Sequence, residues 1–152
     1  MKNDIKSGDK APLFTLPDSE GRSVSLSDFI GKQNLVVYFY PKDETYGCTK
    51  EACSFRDSYD AFKEVGAEVI GISSDNEASH ASFAARHRLP FILLSDQDGK
   101  VAELYGVRRS LGIFPGRVTF VIDKEGIVRL NYSSQINFQK HIDEAVELIR
   151  TL

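Results

Sequence analysis

The chain has 152 residues and 17.0 kDa, about one domain, long enough to fold without disulfides or metal. Its 41% hydrophobic and 27% charged residues exclude a disordered or fibrous chain. Nineteen basic residues against 22 acidic ones give −3, so charge offers no case for nucleic acid or an anionic membrane surface. No apolar run approaches the ~20 residues of a membrane span. Residues 1–6 lead into no apolar segment, so no secretory leader is expected.

In chain order, residues 11–16 and 22–25 flank Pro17-Asp18-Ser19-Glu20-Gly21 and predict an N-terminal β-hairpin. Residues 35–40 form an unbroken apolar and aromatic run ending at Pro41, a buried central strand. Ala52, Phe55, Tyr59 and Phe62 recur at helical spacing and predict one helix over 47–65, closed by Gly66. Residues 68–73 read as a second buried strand and 76–88 as a helix stopping before Pro90. A third strand follows at 91–94, then a short helix at 101–105. Residues 117–122 and 127–132 make a hairpin about Asp123-Lys124-Glu125-Gly126. Phe138, Ile142, Ala145, Val146 and Ile149 mark a terminal amphipathic helix. No repeat or linker interrupts the chain, so 1–152 reads as one domain. The order predicts an α/β fold, a mixed sheet covered by helices on both faces in the thioredoxin-like arrangement.

The chain contains two cysteines, Cys48 and Cys53. A disulfide-scaffolded domain would carry more of them. His80, His87 and His141 lie far from the pair, and neither C-x2-C nor H-x3-H spacing occurs, so no metal is expected. The redox C-x-x-C motif is also absent. Two buried, inert thiols remain open on spacing alone. Position argues further. Cys48 follows a central strand by a short loop and opens a helix, where unpaired N–H groups favour a thiolate and where ligand sites of α/β sheets fall. Thr45 stands where a helix cap would stand, so capping and catalysis are both open for it.

Pro41-Lys42-Asp43-Glu44-Thr45-Tyr46-Gly47-Cys48 fits P-x-x-x-T-x-x-C, and Cys48-Thr49-Lys50-Glu51-Ala52-Cys53 fits C-T-x-E-x-C. With Arg117-Val118-Thr119-Phe120-Val121-Ile122-Asp123 downstream, nearly the whole chain resembles the peroxiredoxins, in their bacterioferritin comigratory protein or PrxQ branch. Members of that branch often carry proline where this chain has Tyr46, which predicts altered local stiffness with activity kept.

The resemblance implies a peroxidase without a cofactor. Cys48 would be the peroxidatic nucleophile, becoming a sulfenic acid, and Cys53 would resolve it as an intramolecular disulfide. A general argument shows what else the reaction needs. Lowering a thiol pKa from ~8.5 to roughly 6 raises its thiolate fraction about 30-fold at pH 7, and the accompanying fall in nucleophilicity removes about 10-fold of that gain. The remainder must come from donors aimed at the breaking O–O bond. The resemblance offers Arg117 for this, a residue that by itself reads as a surface strand arginine. It gives Thr45 a hydroxyl role and Pro41, also a strand terminator, a shielding one. It makes Glu51, otherwise a solvated helix charge, the group that orients Arg117.

In an ideal helix the Cα atoms of residues five apart stand roughly 8.7 Å apart, beyond the ~4.4–6.8 Å of a disulfide, so the helix must open between 45 and 55 in each cycle. Peroxides are the implied substrates and thioredoxin or a similar dithiol the implied reductant, with no nucleic acid or membrane partner. A monomer is expected. A bacterial- or cyanobacterial-type cytoplasm is expected too, the plastid stroma or thylakoid lumen being the alternative were a transit peptide removed. A redox-sensing switch using the same disulfide without turnover is the competing function. His80 and His87 are expected on a helix surface or partly buried, His141 exposed, and Phe114-Pro115-Gly116 is expected to form a loop that positions Arg117.

Overall fold

A computed structural model describes residues 5–107, 109–110, 114–115, 117–133 and 138–152. The N-terminal hairpin pairs β1 (Thr15–Pro17) with β2 (Ser23–Ser25). A five-stranded sheet follows, built from β3 (Asn34–Phe39), β4 (Ala67–Ser73), β5 (Ile92–Ser95), β8 (Val118–Ile122) and β9 (Val128–Ser133) in the order β5-β4-β3-β8-β9. The pairings β3–β4 and β4–β5 are parallel, and β3–β8 and β8–β9 are antiparallel. The apolar run at 35–40 is therefore the middle strand, and every residue of β3 is buried.

The helices are α1 (Tyr46–Asp57), α2 (Tyr59–Glu64), α3 (Glu77–His87), α4 (Lys100–Leu104) and α5 (Phe138–Arg150). The single helix expected over 47–65 is two. Ser58, at φ −102° and ψ 4°, leaves helical geometry and separates α1 from α2. The apolar spacing runs through this break, because both helices cover the same core. Two short strands that the sequence reading lacks, β6 (Arg109–Ser110) and β7 (Phe114–Pro115), form a second hairpin. The loop expected at 114–116 is thus strand at Phe114–Pro115, and Gly116 lies outside the described residues.

The strand alternation divides the core in two. Val36, Tyr38 and Tyr40 pack with Cys48, Ala52, Phe55, Phe62, Phe83, Ile142, Ala145 and Ile149 of α1, α2, α3 and α5. Leu35, Val37 and Phe39 face the other way, onto Phe14, Leu26, Val101, Tyr105 and Phe120. Gly71 on β4 makes the first layer fit, since a Cβ there would stand 2.8 Å from the Tyr38 ring. That ring in turn stacks on Phe55 at 4.4 Å, which seats α1 on the sheet.

Candidate active site

Strand β3 ends at Phe39, just ahead of Tyr40 and Pro41, and a six-residue loop carries the chain to the first turn of α1. Cys48 lies in that turn and is buried, 1% exposed. Both cysteines belong to α1 and both are free; Cys53 is half-buried. Thr45 is the residue before α1, with extended φ −79° and ψ 156°. Its side chain does not cap the helix. The hydroxyl donates to the Lys42 carbonyl at 2.9 Å, which pins the loop and keeps the oxygen able to accept from a ligand.

Arg117 comes from the other side of the sheet's midline. The antiparallel register pairs Phe39 with Val118, so one residue further Arg117 stands opposite Tyr40, at the end of β3 from which the loop leaves. Its guanidinium is buried, 5% exposed. Nη2 donates to the Cys48 sulfur at 3.4 Å, and Nη1 donates to Glu51 Oε1 at 2.6 Å. Glu51 sits one turn beyond Cys48 on α1 and is fully buried, not a solvated helix charge. Burial alone works against the arginine's charge, but Glu51 and Cys48 more than offset this and raise its hold on its proton. Burial pushes the Glu51 carboxyl up to about 7, against the pull of Arg117. Among the described residues Glu51 Oε2 has no hydrogen-bond partner.

His141, expected exposed, and His80, expected on a helix surface or partly buried, are both interior. His141 is fully buried on α5, with Nδ1 2.6 Å from the Thr119 hydroxyl and 4.0 Å from Glu51 Oε2. It continues the stripe of Ala145 and Ile149 at steps of four, a stripe that counting apolar residues alone ends one step short. His80 is fully buried on α3, facing the carboxylate of Asp43 in the loop. His87 is half-buried, as expected, and touches Glu44 at 3.2 Å.

Asp43, Asp75 and His80 bring three ligand-type atoms within 4.8 Å of one another. Tyr40 and Ser79 donate to the Asp43 carboxylate and Ser73 to that of Asp75, so the group is a hydrogen-bonded cluster. No spacing in the sequence links positions 43 and 80; the only hint was a polar Ser79-His80 pair on a helix that also carries Phe83.

A buried cysteine at a helix start, touched by a buried arginine, brings a nucleophilic atom and hydrogen-bond donors together. Residues 7–131 match the AhpC/TSA family. A chloroplastic peroxiredoxin Q of Sedum lineare is 55% identical over 97% of this chain and 80% of its own length, and one of Arabidopsis thaliana is 52% identical over 96% and 68%. Among solved structures, the peroxidoxin BcpB of Mycobacterium tuberculosis superposes with a TM-score of 0.90 at 41% identity, covering 97% of this chain and 98% of that one. A PrxQ of Xylella fastidiosa superposes at 0.88, with 27% identity and 98% of both chains covered. The chain belongs to the AhpC/TSA family and is a thiol-dependent peroxidase. Within that family it falls in the peroxiredoxin Q, or bacterioferritin comigratory protein, branch, which takes peroxides as substrates and a thiol as reductant.

Proposed function

We propose that Cys48 is the peroxidatic nucleophile and Cys53 the residue that resolves it. The observation that carries this is the 3.4 Å contact from Arg117 Nη2 to the Cys48 sulfur, with the guanidinium steadied by Glu51 at 2.6 Å. In the first step the Cys48 thiolate attacks the terminal oxygen of a hydroperoxide. The S–O bond forms, the O–O bond breaks, and the leaving alkoxide or hydroxide takes up a proton. Sulfur is oxidised by two electrons and the peroxide reduced by two. The planar guanidinium offers donors to sulfur and oxygen together as charge moves between them. The Thr45 hydroxyl contributes a further polar contact, and Pro41 shapes the pocket and shields the sulfenic acid.

In the second step the Cys53 sulfur attacks the Cys48 sulfur and water leaves. Both residues are helical in α1, where their ideal separation of roughly 8.7 Å is too long for a disulfide, so α1 unwinds to close the bond. The opened disulfide is reduced by thioredoxin or a similar dithiol. Substrates include hydrogen peroxide and organic hydroperoxides; a Xanthomonas campestris bacterioferritin comigratory protein, 29% identical to this chain, is described as reducing alkyl peroxide. We read residues 1–152 as one domain acting as a monomer, without cofactor. A bacterial-type cytoplasm suits the chain, and the chloroplastic relatives support the plastid alternative.

Peroxide consumption with thioredoxin, measured for the parent, Cys48→Ser and Cys53→Ser, tests this. The first substitution abolishes turnover, and the second leaves a single oxidation event. Turnover that survives Cys48→Ser overturns the assignment, and parent protein that forms the disulfide without turning over favours the switch.

A further inference from the structure

We infer that His80 and Asp43 form a latch by which α3 holds the loop ahead of Cys48 in its peroxide-reactive shape, making His80 a positioning residue of the reaction. The inference rests on the Cys48–Cys53 cycle proposed above.

His80 is fully buried and Asp43 is 4% exposed. The ring nitrogen Nε2 stands 2.9 Å from the Leu94 carbonyl, which only accepts, so Nε2 carries a hydrogen. The other nitrogen, Nδ1, is hydrogen-bonded to Asp43 Oδ2 at 2.7 Å, with Tyr40 Oη 3.4 Å away. The ring thus bridges β5 and the loop. The rest of Asp43 is held as closely. Oδ1 accepts from Tyr40 Oη at 2.6 Å and Oδ2 from Ser79 Oγ at 2.9 Å. Its backbone N–H donates to Asp75 Oδ2 at 2.8 Å, an oxygen that also accepts from Ser73 at 2.6 Å. Groups on or beside β3, β4, β5 and α3 therefore converge on one loop residue.

The loop needs this support. Glu44, next to Asp43, has φ +64°, a left-handed backbone that a non-glycine residue adopts at a cost of ~1–3 kcal/mol unless its surroundings enforce it. Its carboxylate is tied to the same helix, at 3.2 Å to His87 and 3.5 Å to Arg86. Thr45 and Cys48 follow directly. The four hydrogen bonds on Asp43 fix where those two residues start, while among the described residues no hydrogen bond of the cluster involves Cys53. Breaking the latch should therefore slow attack on peroxide and leave disulfide formation as fast or faster.

Two isosteric replacements separate positioning from mere structural support. An asparagine amide reaches the place of Nδ1, and a glutamine amide reaches that of Nε2. His80→Asn keeps the donor to Asp43 and loses the anchor to Leu94, whereas His80→Gln does the reverse. The rate of Cys48 oxidation and the subsequent rate of disulfide formation are measured separately by rapid quench and mass spectrometry, alongside thermal unfolding. We expect His80→Gln to slow oxidation about 100-fold, the order of loss that a misplacement near 1 Å causes, with disulfide formation undiminished, and His80→Asn to stay within about threefold of the parent. Ser79→Ala, a milder change that keeps the ring, should slow oxidation by about two- to fivefold by removing one donor to Asp43. Equal oxidation rates in parent and His80→Gln overturn the latch, as do equal losses in both His80 variants that track their unfolding temperatures. A parent in which Cys48 is not oxidised by peroxide overturns the proposed cycle instead, a result read before any variant is compared.

Discussion

The two faces of the sheet are built to different rules. Under α4 and the N-terminal segment, Leu35, Val37, Phe39, Ile70, Ile72, Phe120 and Ile122 make an apolar layer with Val101 and Tyr105. Under α1, α3 and α5 lies a second apolar cluster, but Glu51, Thr119, Arg117, His80 and His141 are buried within or beside it. Buried charge and hydrogen-bonding groups are costly to place and to leave unmatched. The face that carries the chemistry accepts this cost, and it is also the face whose helix opens in the proposed cycle. The other face holds the sheet steady while that happens.

The sharpest way to break this comparison is to injure the apolar face. Phe120 packs on Tyr105 at 5.2 Å and Phe39 at 5.9 Å and is 1% exposed. Phe120→Ala should cost about 3–5 kcal/mol in urea unfolding and leave the oxidation rate of the folded fraction unchanged. A rate that falls with stability would show that the faces are not separate. Arg117→Ala should do the converse, slowing Cys48 oxidation about 100- to 1,000-fold, roughly 3–4 kcal/mol, at every pH where the thiolate is present. Equal rates for the parent and variant thiolates would remove Arg117 from the transition state.

Glu51→Gln addresses the cost of the buried charge. The Glu51 carboxyl is raised from 4.5 to about 7, so the folded state holds its proton while the unfolded chain has lost it. Folding stability from this group is thus highest below pH 4.5 and declines as pH rises to about 7, by at most about 3 kcal/mol. Glu51→Gln should flatten this decline, seen in unfolding curves at pH 5 and pH 8, while slowing oxidation through Arg117. An unchanged slope would mean that the carboxyl titrates normally.

The smallest effect concerns Tyr46, the first residue of α1, which is 79% exposed. Thr45 before it is extended, as proline requires of its predecessor, and the first helical position suits proline. Tyr46→Pro should stiffen the helix start by about 0.4–1 kcal/mol and slow disulfide formation severalfold, leaving peroxide attack intact. Hydrogen exchange over residues 45–60 in reduced and oxidised protein provides the reference: protection should fall on oxidation, and equal protection would sink the unwinding step.

The succession of elements along the chain and the motif residues of the candidate site were legible because they rest on local pattern. The apolar run at 35–40 could only be a buried strand, and the motif around Cys48 is contiguous. Arg117 was legible through resemblance; its geometry, a consequence of register across β3 and β8, was not. The break at Ser58 escaped because apolar spacing is continuous across it. His80 and His141 were misplaced because histidine fits both a wet and a dry face. Their partners, Asp43 and Thr119, lie 37 and 22 residues away, and only the fold brings them together.

Arg117 is carried just ahead of β8, and Cys48 is carried by α1. In the proposed cycle the helix unwinds and the sheet does not. The oxidised sulfur therefore leaves its activating arginine behind as soon as it moves to meet Cys53, and a second peroxide finds the two halves apart. Reassembly needs the disulfide to be cut, the helix to rewind and the cysteine to return to the waiting guanidinium. The antiparallel register that sets Arg117 beside the end of β3 thus works as a gauge as well as a tool. In that proposed cycle it admits one oxidation per folding of the helix, and it makes the next one conditional on the reductant.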